Sequence, residues 1–165
     1  MPERGTIKRA KRQLRRGRSA STAAGEFVRE EMDHIREGKH GARSTKQAIA
    51  IGLSKARRAG VPLKPPKNGS SRTRRSARRA YQAGQRHPGH KASPRRSRAT
   101  TQALRREPRA AASHRALASQ AHASAGRRGS RARSAAARKA ARTKGSAVRK
   151  AAARKAAATR KHADS

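Results

Sequence analysis

The residues of this chain best suited to chemistry are its cations, and the chemistry they suit is the capture of phosphate. A motif repeats near the C-terminus, AAARKAARTK at 135–144 and AAARKAAATR at 151–160, with Gly145 between the copies. On a helix turning about 100° per residue, Arg138, Lys139 and Arg142 share about 100° of arc. Arg149, Lys150, Arg154, Arg160 and Lys161 share about 140°, and Lys155 falls outside it. Earlier in the chain Lys39, Arg43 and Lys46 flank the start of a predicted helix, where free N–H groups and the positive end of the helix dipole favour an anion. Arg57 and Arg58 close that helix. The run Gly38-Lys39-His40-Gly41 is not a P-loop, because the glycine spacing and the Lys-Ser/Thr pair are missing.

Charge names the partner class. Lys and Arg number 46 against 8 Asp and Glu, a formal net charge of +38 on 165 residues. Such a chain repels itself and seeks a polyanion, and nucleic acid releases condensed counterions for each phosphate neutralised, whatever the base sequence. Phe27 and Tyr81 are the only aromatic residues, so stacking platforms for single strands are missing and backbone-directed binding to duplex DNA is the better expectation. RNA shares every charge argument. Cysteine is absent, which excludes disulfides and thiolate chemistry. His34 and His40 lie six apart with no second pair converging on them, so no metal site, no catalytic residue and no cofactor is predicted.

The elements that must position these residues are sparse. Alanine supplies 37 of the hydrophobic residues, and Leu, Ile, Val and Phe together number 13. That is far below the proportion at which a highly charged chain sustains an ordinary core, so the fold class expected is mostly disordered with a small all-α module. Five acidic residues, Glu26, Glu30, Glu31, Asp33 and Glu37, fall within twelve positions and mark that module. The expected organisation is a basic arm at 1–20, a helical hairpin near residues 21–60, a basic Pro/Gly/Ser-rich linker at 61–108 and an Ala/Arg/Lys-rich tail at 109–165 with nascent helices. In the hairpin, Ala23–Glu37 is capped by Ser21 or Thr22 and stopped by Gly38, with Ala24, Phe27, Val28, Met32 and Ile35 on its apolar side. Glu26, Glu30, Asp33 and Glu37 line the opposite side, either as a solvated face that attracts basic flanks or as a dock for the basic tail. Ser44 and Gln47 form a capping box for the second helix, which Gly60 and Pro62 end. Six of seven prolines lie in the linker, where only a short helix around Ser76 to Ala83 is foreseen.

The run GEFVREEMDHIREGKHGARSTKQAIAIGLSKARRAG at 25–60, with SPRRSRA, AASHRALASQAHA and AAARKAA further on, resembles a family of small basic bacterial proteins, some described as DNA-binding or histone-like. The tail is similar to the Ala/Lys-rich tails of linker histones. Ser93, Pro94, Arg95 and Arg96 resemble the Ser-Pro-basic-basic element of histone tails, which implies arginine in a narrow minor groove. These resemblances imply a histone-like, nucleoid-associated protein of the cytoplasm that neutralises and compacts DNA. The alternatives are an RNA- or ribosome-associated protein and an adaptor acting through the hairpin. No apolar run is long enough to span a membrane. A homodimer through the hairpin is expected, since its few large apolar residues need a second copy to shield them.

Overall fold

A computed structural model describes residues 2–89 and 93–163, apart from the side chains at 144 and 161–163. The described residues are all-α and 77% helical, which overturns the expectation of a mostly disordered chain. The helices are α1 (Arg4–Arg15), α2 (Ala20–Arg36), α3 (Thr45–Arg58), α4 (Ser71–Arg86), α5 (Pro94–Arg105), a 3-10 turn (Ala110–Ala112), α6 (His114–Arg127) and α7 (Gly129–Ala163). The basic arm is therefore a helix, and the expected linker at 61–108 carries two. The chain divides into two units, Met1–Gln120 and Ala121–Ser165.

Local chemistry explains the boundaries. Ser19, not Ser21 or Thr22, caps α2 by accepting from the Thr22 N–H at 3.2 Å. Ser44 accepts from the Gln47 N–H at 3.2 Å, while Gln47 Oε1 reaches back to accept from the Arg43 N–H at 2.8 Å. The α2 C-terminus is a Schellman turn: Gly38 adopts φ 78°, its N–H donates to Ile35 O, and the Lys39 N–H donates to His34 O. Ser70 and Ser93 cap α4 and α5 through the Thr73 and Arg96 N–H groups. Pro94 fits the first turn of α5, where a missing N–H costs nothing. The Ser/Pro/Arg composition that reads as linker thus supplies helix starts.

The core of the larger unit is built mainly from alanine. Phe27 packs with Ala10, Ala23, Ala24, Ala56 and Val61, flanked by Ile7, Leu14, Leu53 and Leu63. Met32 and Ile35 pack with Ala42, Ala48, Ala111 and Ala112, flanked by Val28, Ile49 and Leu117. Each buried methyl contributes about 0.8 kcal/mol, and short side chains lose almost no rotamer entropy on burial. Discounting alanine was the error in the sequence reading. The hairpin's apolar face is covered by α1 and by the 3-10 turn, so Phe27 and Ile35 are fully buried within one chain.

Two glycines set the distances between helices. A Cβ on Gly52 of α3 would lie 2.8 Å from the Val28 Cα of α2, and one on Gly84 of α4 would lie 1.8 Å from Arg57 O. Backbone hydrogen bonds then fasten the later segments. Gly41 N–H donates to Leu104 O at 2.9 Å and Ala42 N–H to Pro108 O at 3.0 Å. Arg36 Nε donates to Ala112 O at 3.0 Å, and Thr45 Oγ1 donates to Ala111 O at 2.7 Å.

The acidic side of α2 is an interface, not a solvated face. Arg9 of α1 pairs with Glu26 at 3.1 Å, and the Glu3 N–H donates to Glu30 Oε1 at 3.1 Å. Glu31 is fully buried, with Oε2 against Lys55 of α3 and Oε1 3.2 Å from His40 Nε2. Of the predicted stripe, only Asp33 and Glu37 stay near the surface, paired with Arg36 and Lys39.

Contact distance makes the glycines separable by mutation. Gly52→Val and Gly84→Val are each expected to lose about 1 to 3 kcal/mol through overpacking. Gly25→Ala, in α2 with open space around it, is expected to gain about 0.5 to 1 kcal/mol. Urea melts followed by far-UV circular dichroism check both signs.

Candidate nucleic-acid interface

Helix α4 has two faces of opposite purpose. Ala77, Ala80 and Gly84, spaced i, i+3, i+7, are buried against α3. Arg72, Arg75 and Arg79, with the same spacing, point the other way and are exposed. They line a groove of about 900 Å³ together with Arg58 from the end of α3 and Ser93 and Arg96 from the start of α5. Ser76, Ala83, His87 and the edge of Ala80 complete the lining, and no acidic residue is among these described residues. The end of α4 is tied to the end of α3 beside it: Gly89 N–H donates to Arg58 O at 3.0 Å, and Gln85 Nε2 donates to Gly60 O at 3.4 Å.

Five guanidiniums on one concave surface repel each other in the empty state. An anion with several oxygens removes that repulsion and accepts bidentate hydrogen bonds from their planar forks. The spacing along α4 gives about one arginine per helical turn, or 5.4 Å of rise, so the groove suits successive phosphates of a backbone rather than one small anion.

The predicted site residues scatter. Arg58, Ser93 and Arg96 come together in this groove, and Pro94 and Arg95 lie exposed beside them in the first turn of α5. The Ser-Pro-Arg-Arg segment is a capped helix start, not an extended element for the minor groove. Arg57 is not a ligand group. It is 8% exposed, its Nε donates to Leu63 O at 3.1 Å, and burial pulls its guanidinium below the ordinary value. Lys39 is held by Glu37 at 2.8 Å, which raises its ammonium pKa and occupies it within the fold. Arg43 and Lys46 are exposed at the start of α3, away from the groove lining.

The smaller unit carries the tail cations on α7. Arg138, Lys139, Arg142, Arg149, Lys150, Arg154, Lys155 and Arg160 are all exposed, whereas the Lys161 side chain lies outside the described residues. Gly145, with φ 71° and ψ 169°, interrupts the helix between the two copies of the repeat. The tail is helical on both sides of Gly145, beyond the nascent helices expected.

Sequence reasoning missed Arg72, Arg75 and Arg79. The signal was the pair of interleaved i, i+3, i+7 sets after Ser70, one small and one basic, inside a segment assigned to linker. No protein-family model, no curated protein and no solved structure matches this chain.

The neighbours Arg57 and Arg58 separate folding from binding. Arg57→Ala is expected to cost about 1 to 3 kcal/mol of stability, because Leu63 O loses its donor. Arg58→Ala is expected to change stability by less than about 0.5 kcal/mol while weakening polyanion binding. Denaturant melts of both variants, set beside binding to a short duplex, check the contrast.

Proposed function

We propose that this protein is a non-enzymatic, sequence-nonspecific DNA-binding protein of the nucleoid that neutralises and compacts duplex DNA. The observation that carries the reading is the groove of Arg58, Arg72, Arg75, Arg79 and Arg96, lined by no carboxylate. The distribution of counter-charge supports it. Glu3, Glu26, Glu31, Asp33 and Glu37 are paired within the fold, leaving the cations of α4, α5 and α7 to an outside partner. The groove and α7 are two cationic surfaces on one chain, and compaction requires one molecule to hold two segments of duplex.

Two further observations bear on partner and place. Phe27 is fully buried and Tyr81 half-buried, which leaves at most one partly exposed ring for unpaired bases. That favours a duplex over single strands. Among the described residues no helix is long and apolar enough to cross a membrane.

Phosphate-driven binding has a measurable signature in salt. Affinity for unrelated duplexes is expected to fall by about 10³ to 10⁵ between 50 and 200 mM salt if six to ten phosphates are contacted. Replacing Arg72, Arg75 and Arg79 together by Gln is expected to reduce the slope of log K against log salt by about 2 to 3, with the fold retained. Fluorescence anisotropy on labelled duplexes measures both. Salt-insensitive binding, or structured RNA displacing duplex DNA at equal concentration, overturns the proposal; the second result favours the RNA-associated reading.

A further inference from the structure

At the junction of α2, the loop after it and the start of α1, the chain gathers side chains that the proposed function does not use. Glu31 and His34 are spaced i, i+3 and share one face of α2, while His40 returns to them from the loop. One ligand atom from each of Glu31, His34 and His40 lies within 4.8 Å of the others. His34 also belongs to a second such group with Glu3 and Glu30. The two imidazoles meet edge to face, with centroids 6.2 Å apart.

The hydrogen bonding of His40 is the informative detail. Its Nδ1 lies 3.0 Å from the carbonyl oxygen of Gly41, which can only accept, so Nδ1 carries the proton. In the neutral ring, Nε2 is then a bare lone pair, and it faces Glu31 Oε1 at 3.2 Å. Two acceptors at that separation require a cation between or upon them. Backbone orientation of one ring nitrogen while the other faces a carboxylate is the arrangement by which proteins fix histidine for a metal. Glu31 is fully buried, with Lys55 against Oε2 and the His40 ring nitrogen facing Oε1, and Glu30 Oε2 is buried without a hydrogen-bond partner. Lys55 neutralises Glu31 from the Oε2 side and leaves Oε1 to the cluster.

We propose that Glu31, His34 and His40 bind one divalent transition-metal ion of the zinc type, with water in the fourth position. Two imidazoles and a carboxylate oxygen suit such an ion and not calcium or magnesium, which take oxygen alone. Bonds of about 2.0 to 2.2 Å in a tetrahedron give ligand-to-ligand edges of about 3.3 to 3.6 Å. The His40–Glu31 edge is already near that length, and the edges to His34 lie within 4.8 Å, so closing them takes a contraction of up to about 1.5 Å. The sequence offered only two histidines six apart. The carboxylate comes from α2 itself, one turn before His34.

The test uses the full-length chain freed of nucleic acid and stripped with chelator, titrated with Zn²⁺ by calorimetry and with Co²⁺ by visible absorption. One equivalent of saturable binding is expected, with the intense visible bands of tetrahedral Co²⁺, which one equivalent of Zn²⁺ removes. His34→Gln with His40→Gln is expected to weaken binding more than about 100-fold, beyond the loss seen when only an outer partner is removed. His114→Gln with His122→Gln, in α6, is expected to bind as the parent does. Absence of a one-equivalent phase in the parent protein overturns the site. So does a Co²⁺ spectrum no stronger than that of the aqueous ion, or a double variant at 34 and 40, folded by circular dichroism, that binds unchanged. In those cases the cluster is a set of ion pairs with protonated histidines.

Discussion

Everything in the larger unit depends on how closely its helix backbones approach one another. With so few large apolar residues, burial of bulk cannot hold five helices and a 3-10 turn against the repulsion of a +38 chain. Small residues offer another solution. Where Gly52 meets α2 and Gly84 meets Arg57 O, no side chain separates the helices, and dispersion acts between backbones as well as between methyl groups. Alanine on both sides of each contact continues the seam without the entropy that longer side chains lose on ordering. The sparse large residues, Phe27, Met32 and Ile35, fill the gaps that remain where three elements meet.

That geometry dictates where the charges go. Helices packed through their small faces turn most long cationic side chains outward, with Arg57 and Lys55 as exceptions, and the few carboxylates become valuable at the inner edges of the interfaces. Glu26, Glu30 and Glu31 each meet another element: Arg9 and Glu3 on the α1 side, Lys55 on α3. Removing one member of such a buried pair costs more than the pair contributes, since the remaining charge is left in low dielectric. The arginines that line the groove have no carboxylate beside them in its lining. The separation of structural from ligand-seeking charge follows from packing, and Arg57 beside Arg58 shows it within one turn of α3.

The sequence made some of this legible and hid the rest for identifiable reasons. Helices near 23–37 and 44–59 were readable because caps, Gly38, Gly60 and an apolar stripe all agreed, although the cap at Ser19 lay two residues earlier than expected. Helix α1 was hidden by its charge: Ile7, Ala10 and Leu14 form a narrow stripe among arginines, and it becomes meaningful only against Phe27 and Glu26. Helices α4 and α5 were hidden by their punctuation, since Ser70, Ser93 and Pro94 read equally as loop residues or as helix starts. The 3-10 turn at Ala110–Ala112 had no signal of its own, because it is held by hydrogen bonds to Arg36 and Thr45, more than sixty residues away. For the candidate site the class of residue was legible and the location was not. Net charge pointed to phosphate, but a count of arginines carries no information about which of them converge.

The same two residue types, alanine and arginine, therefore build two different things in one chain, and the difference lies in spacing. In α4 the small residues recur at i, i+3, i+7 and the arginines at the complementary positions, so one face can be buried and the other concentrated into a groove. In α7 the alanines run in blocks of two or three between basic pairs, so the cations of the repeat, Lys155 apart, gather on arcs of about 100° and 140°. The one large apolar residue of that helix, Val148, is exposed. Its described side chains are exposed, except for the half-buried Ala141. Such a helix is held by alanine's propensity and relieved of its own repulsion only by a polyanion. Arg72, Arg75 and Arg79 stand on a helix whose small face is packed against α3, and that packing fixes their positions relative to Arg58. The chain thus carries one set of arginines placed by packing and another on a helix with no buried residue among those described.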